Sequence, residues 1–178
     1  MEIIKTSIEG LVIIEPKVFE DERGYFMESF KESFIYENFP DLKFIQDNES
    51  KSSYGVLRGL HFQKPPFEQT KLVRVIRGEV LDVAVDLRKE SDTYGKWKSI
   101  ILSGKNKKQF LIPKGFAHGF VVLSEEAIFA YKVDNPYAPE FDSGIIYNDQ
   151  TLNINWRINN KDVLISSKDG KLKPFHLI

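Results

Sequence analysis

Residues 80–87, VLDVAVDL, decide the fold class of this chain. Apolar and acidic residues alternate along the stretch, so that Val83 and Val85 fall on one face and Asp82 and Asp86 on the other. A period of two residues is typical of a β-strand with one face in the core and the other in water. The stretch therefore predicts a half-buried strand in a protein built mainly from β-structure.

The preceding residues, 71–80, read KLVRVIRGEV and contain two β-rich runs joined at Arg77-Gly78. A glycine between two such runs is typical of a tight turn, so the segment predicts a hairpin. Five further runs have the composition of strands and are separated by short turn clusters. Short strands at this spacing predict a β-sandwich or barrel. The five runs are 11–14, 96–102, 109–112, 119–123 and 128–133.

Helical patterns are few. Residues 29–38, SFKESFIYEN, predict one helix, with Ser29 as its N-cap and Glu32 three positions later. A second short helix is expected within 158–164. The length suits one domain, and because no repeat or linker interrupts the chain, we expect residues 1–178 to form it.

The composition excludes several classes of function. Lys and Arg total 25 against 26 Asp and Glu, so no overall field draws the chain to nucleic acid or to an anionic membrane. The absence of cysteine excludes disulfides, thiolate metal sites and cysteine nucleophiles. There is no signal peptide and no run of roughly 18 apolar residues, which favours a cytoplasmic protein without a membrane span.

The segment RGLHFQ, residues 58–63, contains the first candidate for chemistry. Simple alternation would put Arg58 on the same face as Leu60, and Gly59 on the same face as His61. An imidazole at the mouth of a β-barrel suits a general base. A core histidine satisfied by a hydrogen bond is the alternative.

A second histidine belongs to the pattern P-x-G-x-x-H, formed by Pro113, Gly115 and His118. This pattern resembles the second motif of cupin barrels, in which the histidine is often a metal ligand. Metal-binding cupins also carry an H-x-H pair and a carboxylate upstream, whereas this chain has His61-Phe62-Gln63 followed by Lys71. Because an ammonium beside a divalent ion is unfavourable, we expect a barrel pocket without a metal.

Four cations and one carboxylate are further candidates. Arginine forks match phosphate geometry and lysine supplies a point charge, so a local basic cluster suits an anionic ligand. Asp169 could orient a distant histidine, although the local sequence alone favours a turn residue. Solvated surface charge is the alternative for the cations, which are Arg23, Arg58, Lys71 and Lys168.

Several segments together resemble the dTDP-4-dehydrorhamnose 3,5-epimerase family. One of these motifs alone would be weak, but six in the same order and spacing, across nearly the whole chain, are specific. They are DERGYFMESF (21–30), FIQDNESKSSYGVLRGLHFQ (44–63), QTKLVRVIRGEVLDVAVDLRK (69–89), TYGKW (93–97), IPKGFAHGF (112–120) and YAPEFDSG (137–144).

The resemblance implies a cupin-type jelly roll that forms a homodimer by exchanging an N-terminal strand, with Arg23 and Glu28 reaching across the dimer. It implies a dTDP-linked 4-keto-6-deoxy sugar as the substrate, inverted at C3 and C5 without a metal or other cofactor. Both carbons flank the C4 ketone, so the removal of either proton gives an enolate. The product leads towards L-rhamnose.

The catalytic roles of the family fall on four residues of this chain. His61 matches the general base, and Asp169 matches the carboxylate that pairs with it. Tyr131 matches the acid on the opposite face of the sugar, and Lys71 is placed to stabilise the enolate oxygen. The residues that match substrate contacts are Arg23, Phe26, Glu28, Gln46, Asn48, Arg58, His118, Tyr137, Glu140 and Lys168.

Three other hypotheses stay open on the sequence. An enzyme that inverts only C3 or only C5 of a related nucleotide-linked 4-keto sugar needs the same residues. A non-catalytic sugar- or nucleotide-binding cupin needs no opposed base and acid, so the four residues above argue against it. A metal-dependent cupin oxygenase or isomerase would hold stoichiometric iron, manganese or zinc.

Overall fold

The structure is a computed structural model that describes residues 1–178, and antiparallel β-strands dominate it. It has one α-helix, α1 (Glu32–Asn38), and four 3-10 turns at Pro139–Phe141, Asn160–Asp162, Asp169–Lys171 and Phe175–Leu177. The 13 strands are β1 (Glu2–Lys5), β2 (Val12–Glu15), β3 (Val18–Asp21), β4 (Gly24–Met27), β5 (Gln46–Ser53), β6 (Leu57–Gln63), β7 (Lys71–Arg77), β8 (Glu79–Asp86), β9 (Trp97–Ser103), β10 (Gln109–Ile112), β11 (Phe116–Val122), β12 (Glu126–Val133) and β13 (Asp142–Gly144).

Two antiparallel sheets and a separate two-stranded ribbon contain all of these strands. The first sheet has six strands in the order β1-β2-β10-β7-β12-β5, and the second has five in the order β13-β6-β11-β8-β9. Strands β3 and β4 pair only with each other and form the ribbon. Two facing antiparallel sheets of this kind form the cupin-like β-sandwich, so the predicted fold class is confirmed.

The largest part of the core lies between the two sheets and is built from alternate residues of their strands. Val80 and Ala84 of β8 belong to it, together with Phe110 of β10 and Phe129 of β12. A fully buried aromatic side chain removes a large apolar area from water, so these phenylalanines dominate the packing between the sheets.

Strand β8 is buried on both faces, so the prediction of a half-buried strand is wrong. Val83 and Val85 pack against a layer that the C-terminal part of the chain lays over the second sheet, including Trp156. Asp82 and Asp86 alternate with these valines and are themselves fully buried. The alternation is real, but the acidic face of the strand is the inner face of the sandwich.

Residues 71–80 do not form the predicted hairpin. The chain leaves the first sheet at the end of β7 and enters the second sheet at β8, so the two strands do not pair. Gly78 makes the crossing with a φ of 81°, and a Cβ at this position would lie 2.0 Å from the carbonyl oxygen of Glu126. Glycine is required here because the left-handed backbone runs directly against β12.

The other strand predictions correspond to β2, β9, β10, β11 and β12. Strand β5, in contrast, has the wholly polar sequence QDNESKSS, which carries no apolar alternation. It forms because eight consecutive residues pair with β12 along one edge of the first sheet. Pairing with a neighbour therefore decides the conformation of β5, and its own composition does not.

Both segments predicted to be helical contain helical structure, but each differs in detail from the prediction. Helix α1 forms inside 29–38 but begins at Glu32, and no side chain caps it, so the prediction of Ser29 as the N-cap is wrong. The short helix expected within 158–164 is the 3-10 turn Asn160–Asp162. No helix in the structure is long and apolar enough to cross a bilayer.

We expect Gly78→Ala to destabilise the fold by about 3 kcal/mol, because the new Cβ meets a backbone carbonyl in addition to the unfavourable φ. Gly24→Ala is the matched control, since Gly24 also has a positive φ, 128°, but nothing lies within 4 Å of its Cβ position. The control should lose only about 1 kcal/mol. Urea unfolding of the three proteins measures both losses, and equal losses would contradict a steric constraint at the crossing.

Candidate active site

A cavity of about 560 Å³ opens between the two sheets, and we call it the active-site cavity. All four residues that the sequence selects for catalysis line it, together with three of the predicted substrate contacts. Its lining includes Asn48 from β5, Arg58 and His61 from β6, Lys71 from β7, His118 from β11, Tyr131 from β12 and Asp169 from a C-terminal 3-10 turn.

His61 and Asp169 form a hydrogen-bonded pair although they are 108 residues apart, with 2.9 Å between His61 Nε2 and Asp169 Oδ1. The backbone N–H of Gly59 donates to the other carboxylate oxygen over 3.2 Å. Burial acts to raise the pKa of the Asp169 carboxyl, but the hydrogen bonds from His61 and Gly59 outweigh it, so the pKa lies below its usual value. An ionised Asp169 fixes the proton on Nε2 and leaves Nδ1 of His61 as the basic nitrogen.

A second histidine–aspartate pair lies beside the first. His118 is the Cα partner of His61 across the β6–β11 pairing, and its Nε2 lies 3.0 and 2.9 Å from the two carboxylate oxygens of Asp82. Both residues of this pair are buried. The sequence analysis missed the contribution of Asp82, and the signal was available in the acidic face of β8.

Both Arg58 and His61 reach the active-site cavity, so simple alternation along 58–63 is wrong. The register between β6 and β11 shifts between the pair at His118 and the pair at Phe120. An irregularity of this kind re-aims side chains relative to strict alternation. It explains how the guanidinium and the imidazole come to share one cavity.

Lys71 begins β7 and is only partly exposed. None of the side-chain hydrogen bonds or salt bridges involves its ammonium, which therefore keeps some contact with solvent, since no fully buried polar side-chain atom lacks a partner. Burial lowers the pKa of Lys71 from 10.5 to about 8, against the opposing effect of the Asp142 and Asp82 carboxylates. An amine without a protein partner is available to a ligand, and its charged form suits a developing oxyanion.

Lys71 also lines a second cavity, of about 400 Å³. Three further lysines, Lys64, Lys89 and Lys173, line the same space, and we call it the lysine cavity. Lys71 therefore lines both cavities.

Tyr131 projects from β12 into the active-site cavity. Burial raises the pKa of its phenol above 10, although the nearby Arg58 guanidinium acts in the opposite direction. The hydroxyl is therefore protonated at neutral pH and has a proton to donate.

Three further predicted contacts, Gln46, Tyr137 and Lys168, do not line the cavity but belong to two hydrogen-bonded groups. Gln46 Nε2 donates to Asn48 Oδ1 over 2.8 Å, at the start of β5. Tyr137 and Lys168 both donate to Oδ2 of Asp142, the hydroxyl over 3.1 Å. Asp142 lies within the segment YAPEFDSG, but the sequence analysis gave it no role.

Four predicted contacts do not join the cavity in the single chain. Arg23 and Phe26 lie on the β3–β4 ribbon, where Arg23 pairs with Asp21 and Phe26 is 67% exposed. Glu28 follows the ribbon and Glu140 lies on a 3-10 turn, and both are exposed. All four residues are at the surface of the single chain.

The geometry of Gln63 bears on the question of a metal. Its Nε2 donates to the carbonyls of Phe67 and Pro136, and its Oε1 accepts from the N–H of Ala138. The side-chain amide of Gln63 therefore bonds only to backbone groups, and it joins the loop that contains Phe67 to the loop that contains Pro136 and Ala138. No cluster of three or more histidine, aspartate or glutamate side chains with metal-binding geometry occurs in the structure.

Known proteins resemble this chain over nearly its full length. A family model described as dTDP-4-dehydrorhamnose 3,5-epimerase matches residues 5–176. The dTDP-4-dehydrorhamnose 3,5-epimerase of Methanothermobacter thermautotrophicus is 56% identical over 172 residues, which cover 96% of this chain and 92% of that protein.

Solved structures agree with the sequence relatives. The crystal structure of dTDP-4-dehydrorhamnose 3,5-epimerase from Elizabethkingia anophelis is 51% identical with a TM-score of 0.95, covering 99% of this chain and 97% of that one. A dTDP-6-deoxy-D-glucose-3,5-epimerase from Legionella pneumophila was solved in complex with dTDP-4-keto-L-rhamnose. It is 52% identical with a TM-score of 0.95, and the match covers 99% of this chain and 94% of that one.

Lys71→Met is expected to raise the free energy of unfolding by about 2 kcal/mol at about pH 7, because it removes an ammonium that burial disfavours. The pKa of Lys71 is about 8 in the folded state against 10.5 ordinarily, so the wild type binds fewer protons than its unfolded chain and gains stability as the pH rises between these values. The advantage of the variant should therefore shrink between about pH 7 and about pH 9.5.

Urea unfolding at the two pH values measures this difference. Lys173→Met is the control, because Lys173 is exposed and its loss should change neither value appreciably. A gap between wild type and Lys71→Met that stays constant with pH would contradict a buried charge at this position.

Proposed function

The chain belongs to the dTDP-4-dehydrorhamnose 3,5-epimerase family, and we propose that it converts dTDP-4-dehydro-6-deoxy-D-glucose to dTDP-4-dehydro-L-rhamnose by inverting C3 and C5. This reaction serves dTDP-L-rhamnose biosynthesis. The observation that carries the proposal is the convergence of the His61–Asp169 pair, Lys71 and Tyr131 on one cavity. We also propose that residues 1–178 act as one domain in the cytoplasm.

Proton abstraction begins the reaction at either carbon. Nδ1 of His61 takes the proton, the C–H electron pair forms the enolate C=C bond, and the C4 carbonyl oxygen becomes an oxyanion. Asp169 stabilises the imidazolium that results, because a carboxylate 2.9 Å from Nε2 favours the charged ring. Tyr131 then protonates the same carbon from the opposite face, which inverts the centre.

Lys71 stabilises the enolate oxygen in this scheme. Only the ammonium form can do so, and the pKa of Lys71 is lowered to about 8. The enolate is therefore stabilised less as the pH rises through this value. In a partly dry cavity an ion pair with an oxyanion is worth more than in water, so the loss is felt in the rate.

Local cations hold the nucleotide in a chain whose net charge is −1. Arg58 lines the cavity, where its Nε donates to Ser52 Oγ over 3.2 Å and the rest of the guanidinium is left for a ligand. Lys168 is 60% exposed at its side chain and lies beside Tyr137. These groups suit a diphosphate and the base attached to it.

We infer a homodimer in which the β3–β4 ribbon carries Arg23 and Phe26 to the partner's cavity. Phe19, Tyr25 and Phe26 are all more than half exposed on the ribbon, which is unusual for large apolar side chains unless another surface covers them. Strand β1 pairs with β2 in the single chain, whereas the ribbon pairs with neither sheet, which supports the ribbon as the exchanged N-terminal element of this proposal.

The reaction is tested by incubation with dTDP-4-keto-6-deoxyglucose in heavy water, followed by NMR of the sugar protons. We expect deuterium at both C3 and C5. His61→Ala should slow the exchange by about 10³-fold, because the base is lost, whereas Tyr131→Phe should keep part of the exchange and lose inversion. Tyr36→Phe, on the exposed side of α1, is the control that should change neither.

Each other outcome of this experiment has a definite meaning. Exchange at one carbon only would establish an epimerase for C3 alone or for C5 alone. No exchange would refute the proposed reaction, and full activity of His61→Ala would refute the assignment of the base.

The shared site is tested by co-expressing two differently tagged inactive variants, His61→Ala and the double variant Arg23→Ala/Phe26→Ala. Each alone should be nearly inactive, but mixed dimers should hold one intact site and recover about a quarter of wild-type activity by random pairing. The control is His61→Ala with Tyr131→Phe, which damages the same cavity from the same chain and should recover nothing. Lack of recovery in isolated mixed dimers would contradict the ribbon exchange.

A further inference from the structure

We propose that Lys107 is a positioning residue that sets the orientation of the β3–β4 ribbon, so that Arg23 and Phe26 are presented to the cavity of the partner subunit. The inference rests on the proposed function, in which the ribbon of one chain completes the site of the other. Lys107 lines neither the active-site cavity nor the lysine cavity, and it acts through its contact with Tyr25.

The ribbon needs contacts outside itself to have a fixed direction. Its two strands pair with each other over four residues each, but neither pairs with a strand of the two large sheets. A two-stranded ribbon is only marginally stable on its own in water. Side-chain contacts with the rest of the chain must therefore determine how the ribbon is oriented.

Residues 107–109, which we call the ribbon clamp, hold both ends of the ribbon. Before the ribbon, Nζ of Lys108 lies 2.7 Å from Oε1 of Glu15. After the ribbon, Gln109 Nε2 donates to the carbonyl of Ser29 over 2.7 Å, and Gln109 is fully buried. The ion pair is exposed and contributes little, whereas the buried amide fixes the point at which the chain leaves the ribbon. Both contacts lie outside the paired residues, so they do not decide which face the ribbon presents.

The contact of Lys107 lies on the ribbon itself. Its ammonium is 3.8 Å from the centroid of the Tyr25 ring, which is within the range of a cation–π interaction. Tyr25 precedes Phe26 on β4, and successive residues of a strand point to opposite faces. Phe26 shares its face with Phe19, its Cα partner on β3. The contact thus turns the Tyr25 face towards its own chain and leaves the two phenylalanines, both more than half exposed, on the outward face.

The backbone of Lys107 is built for this contact. Its φ is 58°, in the left-handed region that residues other than glycine seldom adopt. The turn between β9 and β10 holds it there: the Lys107 N–H donates to the carbonyl of Ser103, and Oδ1 of Asn106 accepts from the N–H of Ser103 and of Lys108. Such conformations persist where the surrounding structure determines them, and they cluster at functional positions. Here the conformation breaks the alternation of an extended strand, so that three consecutive side chains reach one segment.

A ribbon that is held in one orientation binds substrate better than one that is loose. If only a fraction of the molecules present Phe26 to the partner's cavity, the apparent dissociation constant rises by the inverse of that fraction. The chemical steps are unaffected, because His61, Lys71 and Tyr131 belong to the cavity and not to the ribbon. Loss of the Lys107 contact should therefore raise KM and leave kcat as it is.

The first test measures KM and kcat with dTDP-4-keto-6-deoxyglucose. Lys107→Met removes the charge but keeps a long side chain, and it should raise KM about threefold with kcat unchanged, as expected for the loss of one partly exposed cation–π contact. Lys107→Arg keeps a cation over the ring and should restore the wild-type KM. Lys105→Met is the control, because Lys105 is an exposed lysine of the same turn, and it should leave both values unchanged.

A double-mutant cycle tests whether Tyr25 is the partner through which Lys107 acts. In a Tyr25→Leu background the ring is gone, so Lys107→Met should change KM no further. Tyr25→Phe keeps the ring and should keep the response to Lys107→Met. If the effects of Lys107→Met and Tyr25→Leu on KM simply multiply, the contact does not position the ribbon.

Isolated mixed dimers show which site Lys107 serves. When His61→Ala/Lys107→Met is paired with wild type, the one working cavity is that of the wild-type chain and it receives the altered ribbon, so KM should be raised. When His61→Ala is paired with Lys107→Met, the one working cavity receives an unaltered ribbon, so KM should be normal. A local defect in the Lys107→Met chain would give the reverse pattern.

An unchanged KM in the Lys107→Met homodimer, or an equal change in Lys105→Met, would overturn the proposal. Failure of the proposed function gives different results. The reverse pattern in the mixed dimers would refute the ribbon exchange while Lys107 still positions the ribbon within its own chain. If the wild type shows no epimerase activity, hydrogen exchange of the amides of residues 18–27 decides: it should be faster in Lys107→Met than in Lys105→Met, and equal rates would overturn the proposal.

Discussion

A carboxylate enclosed between the two sheets must have hydrogen-bond donors, and the rest of the structure depends on this constraint. An unpaired charge removed from water costs several kcal/mol, so each buried carboxylate here is met by donors. Asp82 is bound by His118, and Asp169 by His61 and Gly59. The site is built from these pairs, since the partners that make a carboxylate tolerable are the imidazoles that face the cavity.

Asp86 shows the same constraint away from the chemistry. Burial acts to raise the pKa of its carboxyl, but hydrogen bonds from Arg88, Thr93 and Ser91 outweigh it and hold the pKa far below its usual value. These donors come from the turn that joins β8 to β9, and Arg88 also reaches the carbonyl of Glu9. The end of β8 is thereby fastened to the N-terminal part of the chain.

The C-terminal third of the chain completes the site although it adds little regular structure. Its residues cover the outer face of the second sheet, where Trp97 Nε1 donates to the carbonyl of Leu152 and Trp156 Nε1 to that of Tyr147. This layer makes β8 buried on both faces. It also returns the chain to β6, so that Asp169 meets His61.

The sequence predicted strands β2 and β7 to β12, the cavity-lining His61, Lys71 and Tyr131, and the family, because each depends on a local pattern or a motif. The sequence did not show which face of β8 points between the two sheets, because alternation distinguishes the two faces of a strand but does not say which one is packed against the other sheet. A glycine between two β-rich runs likewise fits a hairpin and a crossing between sheets equally well.

The contributions of Asp82 and Asp142 escaped prediction for a related reason. Each binds a partner from a distant segment, which no local pattern reveals: His118 for Asp82, and Lys168 for Asp142.

The position of Lys71 between two cavities has a consequence for proton traffic. Lys71 lines both cavities, so a ligand that fills the active-site cavity leaves the same residue bordered by the lysine cavity. Under the proposed function, this second cavity is a route for proton exchange between Lys71 and solvent while a sugar is bound.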